Sequence, residues 1–309
     1  MSKTCGIPFS ARLLHPRYWL SWLGLGLFAL IAQLPTRARH WLGRHLGSLI
    51  YHRKNQKRRH IVNTNLKIAF PELNDAQRDA MTLKHLQWYG CAMIDYSLLF
   101  FGSNKRLARL LSIEGKEYIE QALADNQNTM VLLAHSVMLE FAPAALGINY
   151  DVFGSYKSSK NSVLNWIIAK SRCRHVKFVV SREEGLRKLI KSLAPGNMMV
   201  FLPDEDLGAE NATFVPFFKK DKATLTTTAR IAKMGHAKAF PAYAWFDPNK
   251  QKYILQIMPA LKNYPSGNTE KDAIALNQAL EKLIKQHPEQ YMWLMKWYRT
   301  RPEGEPSVY

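Results

Sequence analysis

The amino-acid sequence predicts an α/β fold in which an N-terminal membrane-anchor helix and a helical region precede a mixed, mainly parallel sheet flanked by helices. Three observations carry that expectation. Residues 18–34, YWLSWLGLGLFALIAQL, hold no charge. Residues 40–112 read as helices, with amphipathic spacing clearest over 75–101. Beyond residue 113, short apolar runs alternate with helical stretches, the pattern of strands joined by crossover helices.

The 17 uncharged positions make a helix of roughly 25 Å at about 1.5 Å per residue, slightly short of a hydrocarbon core. Tyr18, Trp19 and Trp22 cluster at one end and Pro35 closes the other, as in a helix anchored at the membrane interface. A cleaved signal peptide is the competing reading, but no small-x-small cleavage site precedes the Arg-rich stretch. Lys3, Arg12 and Arg17 lie before the run, while Arg37, Arg39, Arg44, Arg53, Lys54, Lys57, Arg58 and Arg59 follow it. The heavier positive flank places the bulk of the chain on the cytoplasmic side. A helix lying in the interface is the alternative to one that crosses. Residues 1–45 are therefore read as an anchor and 46–309 as one catalytic-sized domain.

In the helical region, Asp75 is a plausible cap for a helix that ends near Gly102, and FPEL marks a turn before it. Farther on, strands are expected at 130–134, 150–153, 177–180, 198–202, 237–244 and 253–257. Helices are expected between them at 137–146, 161–172, 183–193, 222–234 and 270–287.

Composition narrows the partners. Lys plus Arg number 43 against 24 Asp plus Glu, a net charge of +19, so anionic partners are required: nucleic acid, an acidic protein or anionic lipid head groups. No recognition helix, zinc finger or RNA-binding signature is present, and the anchor argues against nucleic acid. Cys5, Cys91 and Cys173 form no close pair, which argues against a disulfide framework and for a reducing compartment. No Cys or His pair has metal-ligand spacing, and no cofactor is expected.

The stretch MVLLAHSVMLEFAPAAL carries the chemistry. An apolar strand ends at Ala134, His135 follows, and Ser136 can cap a helix bearing Glu140. Groups at the carboxyl ends of strands in α/β sheets are those that handle ligands. A strand-to-helix turn lets His135 fold back toward Glu140. A carboxylate on one imidazole nitrogen fixes the tautomer, leaving the other nitrogen to take a proton from an attacking alcohol. A structural histidine is the plainer alternative. Ser136 as nucleophile lacks a Gly-x-Ser-x-Gly elbow.

His135-x4-Glu140 resembles the His-x4-Asp/Glu motif of glycerolipid-type acyltransferases. More closely, the chain is similar to the lipid A biosynthesis lauroyl/myristoyl acyltransferase family of Gram-negative bacteria. RRHIVNTNLKIAFPEL (58–73), LLAHSVMLE (132–140), FLPDEDLG (201–208), FVPFF (214–218) and EQYMWLMKWYRTRPEGEP (289–306) carry the match, in order and across nearly the whole chain. The resemblance implies transfer of a fatty acyl chain from acyl carrier protein to the 3-hydroxyl of an acyl chain already on a Kdo-bearing lipid A precursor. It implies a bacterial inner-membrane location with the catalytic domain cytoplasmic, His135 as general base and Glu140 as its partner. Two rival enzymatic readings are a lysophospholipid acyltransferase and an acyl-thioester hydrolase at the membrane. A non-catalytic basic binding protein is the third.

Several further residues are candidates. Asp204, Glu205 and Asp206 follow an apolar strand and are expected near the same mouth, where they can order cationic side chains or lie in a solvated loop. Arg172, Arg182, Lys157 and Lys160 can hold phosphates of the acceptor or of the carrier's phosphopantetheine arm, or remain solvated. Related enzymes tend to carry Arg where Lys157 stands. The predicted substrate contacts are Arg172, Lys157, Asp204 and Arg182. Phe214, Phe217 and Phe218 around Pro216 suit either an acyl groove or core packing. Trp293 and Trp297, four apart with Arg299 and Arg301 after them, suit a helix at the lipid interface or an ordinary buried helix face.

Overall fold

The computed structural model describes residues 6–54, 56–156, 159–181 and 186–309. Its amino-terminal part is helical: α1 Trp19–Gln33, α2 Thr36–His52, α3 Lys57–Ala69, α4 Asp75–Phe101 and α5 Asn104–Leu110. The helix α4 begins with a reciprocal capping box between Asn74 and Gln77. Asn74 rather than Asp75 is thus the cap, because its side chain reaches the third-residue amide.

Helices α2 and α4 meet at glycines. A Cβ built on Gly90 would lie 2.1 Å from the Gly43 carbonyl oxygen, and one on Gly47 would lie 2.2 Å from that of Leu86. The two backbones are in contact, which only a missing side chain permits. Arg39 and His40 of α2 then reach Asp95 of α4 at 2.8 and 2.7 Å, all three buried. The boundary expected at 45/46 falls inside α2.

No helix among the described residues is long and apolar enough to cross a membrane, and the expected spanning anchor finds no support. Only 15 residues of the uncharged run are helical, about 22 Å, and one face packs on the protein. Phe28 meets Phe100 of α4 at 6.1 Å, and Leu25 and Ala32 are buried. The helix end is tied down by cations: Arg106 donates to the Ala32 and Leu34 carbonyls and Arg39 to that of Leu34. The opposite face leaves Leu20, Leu23, Leu27 and Leu30 58–80% exposed.

The rest is the expected α/β body, a mixed and mainly parallel sheet flanked by helices. Its strands are β1 Leu111–Glu114, β2 Asn128–Leu133, β3 Asp151–Tyr156, β4 Phe178–Ser181, β5 Asn197–Phe201, β8 Ala237–Asp247 and β9 Lys252–Ile257, in the order β1-β9-β8-β2-β5-β3-β4. All neighbours are parallel except β8 and β9. The helices between are α6 Lys116–Ala124, α7 Phe141–Leu146, α8 Ser162–Arg172, α9 Leu186–Ser192, α10 Thr227–Met234 and α11 Thr269–Ile284. One sheet face packs with α4 and α7 through residues such as Leu98, Phe141 and Val131. The other packs with α10, α11 and the carboxyl-terminal segment through Ile231, Leu280 and Trp293.

Three local expectations fail. Residues 212–225 form a hairpin, β6 Ala212–Phe217 with β7 Lys220–Leu225, so the helix expected from 222 starts at Thr227. Phe218 takes a positive φ of 56° at the tight turn, where glycine is the usual signal, and this hid the hairpin. Residues 291–300 are irregular, and Trp293 and Trp297 are buried, their indole N–H groups donating to the Pro288 and Met292 carbonyls. They belong to the core and not to a lipid interface. Finally, Cys173 is disulfide-bonded while Cys91 is a free, buried thiol. Sequence separation concealed a pairing that the fold brings about, with Gly6 packed back beside Cys173 Sγ.

Candidate active site

β2 and β5 are parallel neighbours, with Leu132 opposite Phe201. His135 and Asp204 each lie three residues beyond that pair, so they leave the sheet side by side at its carboxyl end. The His135 backbone N–H donates to Asp204 Oδ2 at 2.8 Å, and its Nδ1 hydrogen-bonds Oδ1 at 2.6 Å. The Tyr291 hydroxyl donates to Oδ2 at 2.9 Å. A carboxylate so held orients the ring and, in the neutral imidazole, places the proton on Nδ1. Burial pushes the Asp204 carboxyl up, but the His135 charge, the His135 side-chain and backbone hydrogen bonds and the Lys222 charge outweigh it and hold it low.

The carboxyl-terminal segment clamps this turn. Met292 N–H donates to the His135 carbonyl at 3.0 Å, Val137 N–H to that of Gln290 at 2.9 Å, and Ser136 bridges to Tyr291. Tyr96 of α4 donates to the Val137 carbonyl at 3.0 Å. Trp297, stacked on Tyr291, lies 5.9 Å from the His135 ring. Ser136 is buried, its hydroxyl unpaired, and it lines none of the cavity.

Glu140 does not partner His135. It is the residue before α7, and both of its oxygens are taken by Arg172 at the end of α8. Five positions of separation turn its carboxylate toward α8, whereas the register of β2 and β5 supplies His135 with Asp204. Asp204, expected to touch substrate, is 1% exposed and committed to His135 and Tyr291. Its place near the mouth is as expected; its contact is not. Lys157 and Arg182 lie outside the described residues.

His135, Glu140 and Arg172 line the mouth of a cavity of about 280 Å³. It is lined from four adjacent strands: Leu133 of β2, Val200 of β5, residues 152–155 of β3 and Val179 of β4. Pro143 of α7 and Val176 complete the lining. Phe214, Phe217 and Phe218 are absent from this lining, and Phe217 and Phe218 sit in the core across the sheet. Sequence reading missed Tyr291 and Lys222 altogether; only the EQYMW stretch hinted at the first.

A carboxylate-oriented imidazole beside a largely apolar cavity, with a guanidinium among the lining, is the arrangement this α/β fold presents at the carboxyl end of its sheet. The chain matches the bacterial lipid A biosynthesis acyltransferase family over residues 7–300 and belongs to it. It is therefore an acyltransferase of lipid A biosynthesis. It is 34% identical to the lipid A biosynthesis lauroyltransferase of Escherichia coli, covering 97% of this chain and 98% of that one. The palmitoleoyltransferase of the same organism is 30% identical over 97% and 98%, and the myristoyltransferase 28% over 97% and 93%. The crystal structure of a 1-acyl-sn-glycerophosphate acyltransferase from Thermotoga maritima aligns with a TM-score of 0.36 and 16% identity, covering 82% of this chain and 95% of that one.

Proposed function

We propose that this enzyme moves a fatty acyl chain from acyl carrier protein to the 3-hydroxyl of an acyl chain on a Kdo-bearing lipid A precursor, with His135 as general base. The observation behind this reading is the Asp204-bound imidazole at the mouth of an apolar cavity. The acceptor hydroxyl gives its proton to His135 Nε2 as its oxygen attacks the thioester carbonyl. The ester C–O bond forms, the C–S bond breaks, and the proton passes to the departing thiolate. Base assistance of this kind contributes about 10²–10⁴-fold. The Glu140–Arg172 pair holds a guanidinium at the rim for an anionic group of donor or acceptor. The cavity receives the acyl chain, each buried CH₂ contributing about 0.8 kcal/mol.

The exposed leucine face of α1 and the net charge of +19 support docking in the plane of an anionic inner membrane, with acyl carrier protein and lipid head groups as acidic partners. The test is transfer from an acyl thioester of acyl carrier protein to a Kdo-bearing lipid A precursor. Alanine at His135 should slow turnover by about 10²–10⁴-fold; a rate within a few-fold of the native one defeats the mechanism. Free fatty acid released without acceptor identifies a thioester hydrolase instead.

A further inference from the structure

Lys222 sits on β7 opposite Val215, wholly buried, and its ammonium finds no hydrogen-bond partner among the described residues. It lies 5.2 Å from the centre of the Phe217 ring. It lines no part of the cavity, so substrate does not explain it. Taking an ammonium out of water costs several kcal/mol unless anions compensate. The Phe217 ring under it lies 6.3 Å from the ring of Tyr291, whose hydroxyl donates to Asp204, so the ammonium sits one ring away from the group that holds His135. The charges of Asp204 and Asp206 both favour the ammonium there. Asp206 is itself fixed, accepting from Thr300 N–H at 2.7 Å, Thr300 Oγ1 at 2.6 Å and Gly208 N–H at 3.2 Å.

We propose that Lys222 is a positioning residue that sets the basicity of His135 through Asp204. The cluster contains two carboxylates and one ammonium, with the imidazole as the fourth group. With Lys222 charged, part of the Asp204 field is already answered, so the imidazole gains less by taking a proton and stays a neutral base. Without it, two carboxylates face one imidazole and draw a proton onto it. Burial lowers the Lys222 ammonium to about 8, against the pull of Asp204 and Asp206.

The surrounding groups are few. Tyr291 and Tyr243 stand beside Asp204 with hydroxyls driven up by burial, so they stay neutral. Across the cavity mouth Glu140 and Arg172 answer each other. Outside the hairpin, Arg301 donates to the Asp221 carbonyl and pairs with Glu305, while Glu281 of α11 accepts from Phe218 N–H.

The inference rests on His135 acting as base, and the experiment separates the two. The pH profile of kcat/KM is measured for the full-length native enzyme, K222M, K222R and D206N, with thermal melting as a check on folding. The substrates are an acyl thioester of acyl carrier protein and a Kdo-bearing lipid A precursor. K222M should move the acid limb up by about one pH unit, K222R should leave it in place, and D206N should move it down. Should K222M fail to fold, D206N decides alone. A folded K222M or D206N with an unmoved limb overturns the proposal. H135A that keeps its rate overturns the base assignment instead.

Discussion

Two histidine–aspartate pairs of nearly equal length lie in this protein. His135 meets Asp204 at 2.6 Å and His40 meets Asp95 at 2.7 Å. Both carboxylates are buried. What differs is the company they keep. Asp95 is shared with Arg39, whose guanidinium also reaches the Leu34 carbonyl and the Tyr253 hydroxyl, and its histidine, His40, is 4% exposed. Asp204 has its countercharge set back on β7, and its histidine lines an apolar cavity. The same pair of side chains closes a helix–helix contact in one place and stands at a cavity in the other. Access and charge balance separate the two.

The largest effect should come from H135A: transfer slowed by about 10²–10⁴-fold, with a melting temperature close to that of the native protein. Replacing each aspartate by its amide sharpens the contrast. D204N should lower kcat by a smaller factor, about 10²-fold, while the protein stays folded. D95N should leave the rate per folded molecule alone and remove about 3–5 kcal/mol of stability in urea melts, because the Arg39 guanidinium is left buried without its anion. If D95N slows catalysis as D204N does, the two sites are not separable in this way. A third histidine provides the pH dependence. Burial holds His85 down to about 4, with Nδ1 bonded to the Glu289 carbonyl. Its unfolded form takes a proton below roughly 6.5, which the folded form refuses. Stability should therefore fall as pH drops from 6.5 toward 4, by about 3 kcal/mol from this residue, a slope that chemical denaturation across that range will show. The smallest effect belongs to E140Q, which removes the carboxylate charge paired with Arg172 at the rim: KM should rise by about tenfold with little change in kcat.

Much of the sheet was legible because buried parallel strands are continuous apolar runs, as at MVLLA and MMVFL. The hairpin was not, because Phe218 does in its turn what glycine usually does. His135 announced itself by position after a strand. Its partner did not, since strand order is invisible in one sequence: nothing in residues 130–206 says that β2 and β5 are neighbours. The nearer acid, Glu140, was therefore the natural choice and the wrong one for that hydrogen bond. The uncharged run misled in a related way. Its composition reads as lipid-seeking on all sides, and only the packing of α1 on α4 and the arginine caps at Ala32 and Leu34 reveal that one side is already spoken for.

The long helix α4 has a consequence for the geometry of the whole. Phe100 meets α1 through Phe28, while Tyr96, one turn earlier, holds the carbonyl of Val137 two residues past His135. A single rod, backbone-locked to α2 at Gly90, therefore ties the apolar outer helix to the turn that carries His135. A tilt of that rod would carry both together, so the outer helix and the turn keep a fixed relation to one another.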